Sequence, residues 1–508
     1  MNLSSEQLSI FDKYKNGQNI FMTGPGGSGK SQLIKYINQY AYTNNTNIQV
    51  CALTGCAVVL LECKAKTLHS WAGIGLGTDT IQSNINKVLK NRFKKASWKE
   101  VNVLIIDEVS MMSEKLFNIL DGIGKAVRKN PKPFGGIQVI FSGDFYQLPP
   151  VGNKDEPETI RFCFESDKWM ETFQLENHIE LTQIFRQTDE LYKKILGEIR
   201  EGRLRKSSND ILLQHVNRSI KHDANFRPTK LYPTRNKVDN INIVEINKLT
   251  GIEFEYKVKY HYDITMTSQQ RDRKMNFTQE QINAELLHLQ SNLRCDEIMK
   301  FKIGSQVMCI VNIALTNGDI LCNGSQGKII NISSDGFPVV KFNNNYTMTM
   351  SPHIWESELI PGIGVSQIPL ILAWALTIHK SQGASLDMAE IDAGSGIFEC
   401  GQTYVALSRV KSLDGLYLAS FDASKIKIHK RVQEFYNNIK KHKYNNTNNN
   451  TNNNTNISTL PIAIPVAIAI PVGTILELDE NIPMVDVIQQ TPIIINNVEL
   501  HEEIYEQF

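Results

Sequence analysis

The feature that most constrains this chain is a glycine-rich stretch, GPGGSGKS, at residues 24–31. It fits the pattern G-x-x-x-x-G-K-S and lies between a strand-like run at 19–23 and a helix-like run at 32–39. In that setting the glycines let successive backbone N–H groups turn toward one anion, and the start of the helix adds partial positive charge. An ordinary glycine-rich turn is the alternative, but it leaves the flanking strand and helix unexplained. The stretch therefore predicts a site for a nucleoside triphosphate.

Different residues of this loop are predicted to contact different parts of a bound triphosphate and its metal ion. Lys30 supplies a mobile charge for the β- and γ-phosphates, and Ser31 is a predicted ligand of Mg²⁺. The residues predicted to hold the nucleotide are Gly24, Pro25, Gly26, Gly27, Ser28, Gly29, Lys30 and Ser31.

The composition says little about partners. The 508 residues contain 54 Lys plus Arg against 53 Asp plus Glu, so a nucleic-acid site must be argued locally. Eight scattered cysteines form no C-x-x-C pair, which disfavours zinc and is typical of reduced thiols. The first residues lack the apolar core of a signal peptide. We expect an intracellular protein that is not secreted and acts in the nucleus, the cytoplasm or a viral replication site.

The first half of the chain alternates apolar runs with helical stretches. The runs are NIFMT, IQVCALT, VNVLIIDEV and GIQVIFSGD, and one of the helical stretches covers 113–128. This alternation predicts a mainly parallel, doubly wound α/β sheet. Segments that are apolar throughout, such as VLIID, are typical of strands covered on both faces. Ligands bind at the carboxyl ends of such strands.

A second α/β pattern begins with IELTQIF, continues with a helix at 190–201 and TKLYPT, and resumes with PLILAWALTIH, GQTYVALSRV and GLYLAS. Between its two parts, residues 250–366 are alternating and rich in N-G and D-G turns. They predict a small β-barrel inserted into the second α/β domain. The stretch 269–299 within it is helical and charged in character, and the sequence assigns it no role.

The last part of the chain changes composition. An Asn-rich tract, NNTNNNTNNNTN, follows Tyr444 and predicts a disordered segment, because it has nothing to bury. The apolar run PIAIPVAIAIPVGTI comes next, but its prolines interrupt any helix and it is shorter than the roughly 20 residues of a membrane span. An extended apolar tail is favoured over a membrane anchor, so we expect no membrane partner.

Carboxylates follow the apolar strand VLIID. Asp107 is predicted to bind the metal and Glu108 to orient and deprotonate the water that attacks the γ-phosphate. Alternatively, the two residues merely cap the next helix.

A further candidate follows the next apolar strand. Gln147 follows the strand in GIQVIFSGDFYQLPPV, where its amide is placed to sense the γ-phosphate, although a turn is the simpler reading of S-G-D.

Two arginines in the second α/β pattern are candidates for charge stabilisation. Arg186 lies in QIFRQ and Arg409 in VALSRV. Arginines that reach a γ-phosphate from an opposite domain make hydrolysis depend on domain closure. Each arginine alone is more commonly a surface charge.

A polar cluster follows the apolar run PLILAWALTI. Its cation, hydroxyl and amide groups suit a sugar-phosphate backbone read without sequence preference, although a polar turn is the alternative. The same argument applies to polar residues of the first domain, where an isolated histidine is usually structural. The candidate contacts to a sugar-phosphate backbone are His379, Lys380, Ser381 and Gln382 in the second domain and Thr54, Thr67 and His69 in the first.

Seven ordered motifs together resemble the petite-integration-frequency (PIF) DNA helicases of superfamily 1. They are EQLSIFDKYKNGQNIFMTGPGGSGKS, LTGCAVVLL with KTLHSWAGIGLG, IDEVSMM, KPFGGIQVIFSGDFYQLPPV, LTQIFRQ, ALTIHKSQGASLD and YVALSRV. The resemblance covers residues 2–439.

The resemblance implies an ATP- and Mg²⁺-dependent 5'-to-3' DNA helicase that acts in replication, repair or recombination. It implies that Gln7 reads the adenine and that Gln147, Arg186 and Arg409 surround the γ-phosphate. It also implies two RecA-like P-loop lobes, each with a parallel sheet, a small wedge element and an SH3-like β-barrel. The expected divisions are lobe 1A at 1–180 with the wedge near 62–100, lobe 2A at 181–249 and 367–440, the barrel at 250–366, and a linker and low-complexity tail at 441–508.

Two other functions remain open from the residues alone. One is a DNA-stimulated ATPase that clamps or remodels DNA without processive unwinding, and the other is a nucleotide kinase or GTPase. The two arginines and the second α/β domain disfavour the kinase or GTPase. The expected partners are single-stranded DNA and forked or tailed duplex DNA, and the expected working unit is a monomer.

Overall fold

The computed structural model describes residues 3–453, with gaps at 55–56, 59–60, 62, 76, 78, 221–226, 292, 294, 316–319, 322, 344 and 358–359. The described residues form a mixed α/β fold with two parallel sheets and several antiparallel strands, which lie in sequence between the first and the later strands of the second parallel sheet. No helix in this part of the chain combines the length and the apolarity needed to cross a bilayer.

The first sheet has six parallel strands. Their order across the sheet is Lys66–Thr67, Ile48–Ala52, Val103–Asp107, Gln138–Ser142, Ile20–Thr23 and His178–Glu180. In the register of the central strands, Ile105 lies opposite both Val50 and Ile140, and all three side chains are buried. The apolar runs of the first half therefore form strands covered on both faces, as predicted.

Helices cover this sheet. They are Ser5–Lys15, Lys30–Thr43, Leu68–Ala72, Ile81–Lys90, Arg92–Glu100, Glu114–Arg128 and Trp169–Thr172, with short 3₁₀ turns at Val109–Met111, Pro133–Gly136, Pro157–Thr159, Cys163–Glu165 and Leu175–Asn177. The first helix has a complete capping box, in which Ser4 and Gln7 bond each other's backbone. The predicted order of strand, phosphate loop and helix is confirmed, since helix Lys30–Thr43 follows the loop directly.

One prediction about the sheets is wrong. The run IELTQIF is predicted to belong to the second α/β pattern, but strand His178–Glu180 pairs with Ile20–Thr23 at the edge of the first sheet. A short apolar segment pairs equally well with the edge of either sheet, and its own residues do not specify which.

The second sheet has four parallel strands. Their order is Ala375–Thr377, Thr229–Tyr232, Ala389–Ala393 and Leu416–Phe421. The helices of this region are Glu190–Arg200, Lys206–Gln214, Arg235–Lys248 and Gln402–Leu407, followed by a 3₁₀ turn at Ala423–Lys425. The run PLILAWALTIH forms two strands that belong to different sheets. Leu370–Leu372 joins an antiparallel sheet, and only Ala375–Thr377 joins the second sheet.

Antiparallel strands occupy the sequence between the two parts of the second sheet. A five-stranded sheet has the order Thr347–Thr349, Pro338–Phe342, Gln326–Ile332, Gln306–Cys309 and Leu370–Leu372. Smaller sheets comprise His353–Glu356, Gly364–Gln367 and Lys259–His261, then Phe254–Lys257 with Ile298–Phe301, and Ile313–Ala314 with Ile320–Leu321. The stretch predicted to be helical contains helices Ser268–Lys274 and Gln279–Ser291, although its last residues enter strand Ile298–Phe301.

The last described helix, Lys430–Asn453, returns to the first sheet. Val432, Tyr436 and Ile439 are buried in the same hydrophobic cluster as Trp169 and Phe141. The helix also runs into the Asn-rich tract, which the sequence predicts to lack structure. Because extending a packed helix costs far less than nucleating one, low intrinsic propensity does not end it at Tyr444. The remainder of the predicted tail, 454–508, lies outside the described residues.

Candidate functional site

A cavity of about 460 Å³ lies where the first sheet region meets the second. It collects residues that are distant in sequence, because the phosphate loop, the carboxyl ends of two strands and the segment after helix Gln402–Leu407 converge on it. The predicted residues that line it are Gln7, Gly26, Gly27, Ser28, Gly29, Lys30, Ser31, Asp107, Glu108, Gln147, Arg186 and Arg409.

The phosphate loop wraps around the ammonium group of Lys30. Lys30 Nζ donates to the carbonyl oxygens of Gly24 at 2.7 Å and Pro25 at 3.0 Å, so these two residues support the lysine from outside the cavity lining. Burial lowers the pKa of Lys30, and nearby carboxylates oppose that shift. At Gly27 the backbone has φ +85° and a Cβ atom would lie 2.4 Å from Cβ of Arg186. Only glycine therefore permits this approach of the arginine segment to the loop.

Oxygen atoms suited to a divalent cation lie beside the loop. Ser31 Oγ donates to Asp107 Oδ2 at 3.2 Å, and Ser142 Oγ donates to Asp107 Oδ1 at 2.7 Å. Asp107 is buried at the end of its strand. Mg²⁺ prefers oxygen ligands and is commonly held by one or two protein groups together with phosphates and water, so Ser31 and Asp107 fit it.

Glu108 is held in an uncommon backbone conformation. Its φ of 58° lies in the left-handed region, which for a residue other than glycine is costly and recurs at active sites. Burial and the charge of Asp107 raise the pKa of Glu108 to about 7, while Lys30 and the two arginines oppose the shift. A carboxylate of this basicity is suited to accept a proton near neutral pH.

The two predicted arginines meet at the phosphate loop. A Cβ atom on Gly26 would lie 3.6 Å from Arg186 Nη1 and equally far from Arg409 Nη2. Arg409 is 2% exposed, and its Nη2 donates to the hydroxyl of Ser408 at 2.8 Å. Arg186 Nη1 donates to the carbonyl of the same serine at 3.3 Å.

The charge of these cations is not balanced by ion pairs. Among the described residues, Lys30, Arg186 and Arg409 have no carboxylate within 4 Å, although Arg200 nearby is paired with Asp144 at 2.9 Å. Burial and mutual repulsion with Arg186 lower the pKa of Arg409 to about 9, still well above neutral pH. Buried charges are normally compensated, so three converging cations define a site for a polyanion.

Sequence reasoning missed two aromatic residues at this cavity. Phe185 is 54% exposed, and its ring lines the cavity beside Gly29, near the amide of Gln7. Tyr404 is buried, and its hydroxyl accepts from the backbone N–H of Gly26 at 2.9 Å. In the sequence, these two residues are indicated by their positions near the predicted arginines, in the motifs QIFRQ and QTYVALSRV.

Gln147 is positioned by a network that joins the two sheet regions. It is 5% exposed, and its backbone N–H donates to the carbonyl of Asp144 at 2.8 Å. Asp144 in turn accepts two 2.9 Å bonds from Arg200, whose guanidinium lies over the rings of Tyr146 and Tyr436. The turn that carries Gln147 is therefore supported by an ion pair between the two sheet regions.

The predicted DNA contacts of the first region lie at the carboxyl ends of neighbouring strands. Thr67 pairs in register with Ala52, and Thr54 follows that strand. Thr54, Thr67 and His69 are all half-buried, and burial lowers the pKa of His69. The structure thus brings these three residues to one edge of the first sheet.

The predicted DNA contacts of the second region separate into two pairs. His379 and Lys380 are half-buried beyond strand Ala375–Thr377. Ser381 is fully buried, and its hydroxyl donates to the carbonyl of Ile378 at 2.8 Å. Gln382 is also buried, and its Nε2 donates to Glu108 at 3.3 Å. Local turn geometry thus directs both side chains inward, and their contact with single-stranded DNA stays a prediction.

Comparisons with known proteins agree with this geometry. The model of the PIF1-like helicase family matches residues 2–210. The "ATP-dependent DNA helicase RRM3" of Saccharomyces cerevisiae is 32% identical over 83% of this chain and 65% of its own length. The chain spans less than two thirds of the length of the curated helicases that it matches.

Solved structures extend the similarity to three dimensions. The crystal structure of Pif1 helicase from Candida albicans is 35% identical, has a TM-score of 0.68, and aligns with 86% of this chain and 100% of its own. Pif1 from Bacteroides in complex with ADP-AlF3 and ssDNA is 27% identical, with a TM-score of 0.60 over 87% of this chain and 98% of its own.

Proposed function

The chain belongs to the PIF1-like helicase family, and on that premise we propose that it is an ATP-dependent DNA helicase that translocates 5'-to-3' on single-stranded DNA and unwinds duplex DNA. The observation that carries the proposal is the convergence of Lys30, Arg186 and Arg409, without carboxylate partners among the described residues, on one phosphate loop. These cations come from both sheet regions, as a motor driven by ATP requires. A DNA substrate places the activity inside the cell, in replication, repair or recombination.

ATP binding is assigned to the phosphate loop and the residues at its two ends. The loop from Gly24 to Ser31 holds the phosphates, and Gln7 with Phe185 contacts the base at the end nearest Gly29. Ser31 and Asp107 hold Mg²⁺, which supplies charge neutralisation at the phosphates when bound.

Hydrolysis is assigned to Glu108 and the cations around it. Glu108 accepts the proton of a water whose oxygen bonds to the γ-phosphorus while the bond from that phosphorus to the β,γ-bridging oxygen breaks, giving ADP and inorganic phosphate. Arg186 and Arg409 stabilise the charge that develops on the transferred phosphoryl group, and Gln147 senses its presence.

The path of single-stranded DNA is assigned to both sheet edges. Thr54, Thr67 and His69 contact the backbone on the first region, and His379 and Lys380 contact it on the second. Half-buried polar groups at the ends of parallel strands suit a backbone bound without sequence readout. The Bacteroides relative, described as a complex with ssDNA, is consistent with this partner.

The architecture is interpreted in the same terms. We propose that residues 1–180 form a RecA-like lobe with a wedge near 62–100, that 181–249 and 367–440 form a second RecA-like lobe, and that 250–366 form an SH3-like barrel. Parallel sheets in the first and last segments and antiparallel strands in the middle one support this division. We propose a monomeric motor, for which single-turnover unwinding amplitude should saturate at one molecule per fork.

An unwinding assay with matched substrates tests the function. The protein should separate a duplex with a 5' single-stranded tail in the presence of ATP and Mg²⁺, and it should leave a 3'-tailed duplex of the same sequence intact. Binding and ATP turnover without strand separation would instead identify a DNA-stimulated clamp or remodeller. ATP turnover that single-stranded DNA leaves unchanged would reject both functions.

A further inference from the structure

The segment that follows strand Ala375–Thr377 passes from the sheet edge to the nucleotide cavity within a few residues. His379 and Lys380 are half-buried at the sheet edge assigned to DNA, whereas Gly383 lines the nucleotide cavity. Gln382 lies between them in sequence and is 6% exposed. This segment is thus a short covalent connection between the proposed DNA path and the ATP site.

Gln382 contacts the proposed base directly. Its Nε2 donates to Glu108 Oε2 at 3.3 Å, across the boundary between the two sheet regions. A donor on a carboxylate oxygen holds the side chain in one orientation and also makes the carboxylate less basic. Both effects oppose proton abstraction from a water at the γ-phosphate.

The turn that carries Gln382 is held together by internal hydrogen bonds. Lys380 N donates to Thr377 Oγ1 at 3.1 Å, Ser381 N donates to the carbonyl of Thr377 at 3.0 Å, and Gln382 N donates to the carbonyl of His379 at 3.1 Å. A displacement of His379 or Lys380 by a bound strand is therefore transmitted to Gln382. The 3.3 Å bond to Glu108 lies at the long end of hydrogen-bond distances, so a small displacement breaks it.

We propose that Gln382 is a positioning residue that restrains Glu108 until DNA binds at His379 and Lys380. This inference rests on the proposed function and deepens it, because it names the contact through which single-stranded DNA accelerates ATP hydrolysis. Without DNA, the amide of Gln382 engages the carboxylate of Glu108. With DNA bound, the turn shifts, the bond is lost, and Glu108 is free to accept the proton of the attacking water.

The test is the ATP turnover of Gln382→Ala in the absence and presence of saturating single-stranded DNA. DNA-free kcat should rise about tenfold, since a hydrogen bond to a charged group is lost. DNA-saturated kcat should stay within about twofold of the wild-type value. The affinity for single-stranded DNA should not change. The matched control is Gln174→Ala, an exposed glutamine of the first region, which should behave as wild type.

The comparison of the two rates separates a restraint on Glu108 from a merely structural role. A defect in the scaffold should lower turnover both with and without DNA, whereas loss of the restraint should raise only the DNA-free rate. Gln382→Glu keeps the side-chain volume and replaces the amide donor with a carboxylate, so it should also raise the DNA-free rate, and it serves if the alanine variant is unstable.

Three outcomes decide the matter. A higher DNA-free rate together with an unchanged DNA-saturated rate supports the inference. A DNA-free rate that is unchanged or lower in both variants overturns it and leaves Gln382 as part of the scaffold. If wild-type turnover itself does not respond to single-stranded DNA, the proposed function fails, whatever the variants do.

Discussion

The two parallel sheets both reach the nucleotide cavity, but they deliver different kinds of side chain. The first contributes groups suited to bind a triphosphate and its metal ion. Lys30 lies where the phosphate loop meets its helix, and Asp107 ends strand Val103–Asp107. The second region contributes Arg409 and the contact of Gln382 with Glu108. In the proposed mechanism the first region therefore holds the triphosphate and the base Glu108, whereas charge stabilisation by Arg409 and the restraint by Gln382 require that the other region be in place.

Removing the central binding group should have the largest effect. Lys30→Ala should lower ATP turnover by about a thousandfold or more and weaken ATP binding, because the ammonium is the loop's own charge for the β- and γ-phosphates. Steady-state turnover and equilibrium binding of a fluorescent ATP analogue measure the two effects. Lys99→Ala, an exposed lysine, is the control and should behave as wild type.

Removing a group from the opposite region should separate binding from hydrolysis. Arg409→Ala should lower kcat by about a thousandfold while ATP affinity changes only several-fold, as expected of an arginine that acts on the transferred phosphoryl group. Arg431→Ala removes an exposed arginine as the control. Normal turnover by a folded Arg409→Ala protein would show that the arginine assignment is wrong.

The pH dependence of turnover tests Glu108. Since burial raises its pKa to about 7, the ionised form that accepts a proton is lost as pH falls below 7. We expect kcat/KM, which reports the free enzyme, to fall about tenfold per pH unit on that side and to level off above it. Glu108→Gln should abolish this limb together with most of the activity. A limb near pH 4.5 would contradict the elevated pKa.

The smallest effect concerns DNA. Lys380→Ala should weaken single-strand binding modestly and reduce the slope of log affinity against log salt concentration by about 0.7, the value for one phosphate contact. Titrations with labelled single-stranded DNA at several salt concentrations measure that slope. An unchanged slope would remove Lys380 from the proposed path.

The sequence predicts the parts of this molecule that depend on neighbouring residues. The loop at Lys30, the carboxylates after VLIID and the covered strands of the first sheet follow from short patterns, and the structure places them as expected. Both arginines reach the cavity, although a single arginine in a sequence carries no such signal.

What the sequence could not predict depends on contacts between distant segments. The edge pairing of His178–Glu180 is decided by which sheet edge is free, and the inward placement of Ser381 and Gln382 is decided by turn geometry. Phe185 and Tyr404 acquire a role only because their segments approach the phosphate loop. No short stretch of the sequence specifies these contacts between distant segments.

The final described helix has a consequence for movement. The chain leaves the first sheet after His178–Glu180 and rejoins it in Lys430–Asn453, where the hydroxyl of Tyr436 lies 2.6 Å from that of Thr23, just before the phosphate loop. The second region is therefore attached to the first at two separate places. Two connections restrict the relative movement of the two regions more than a single connection would.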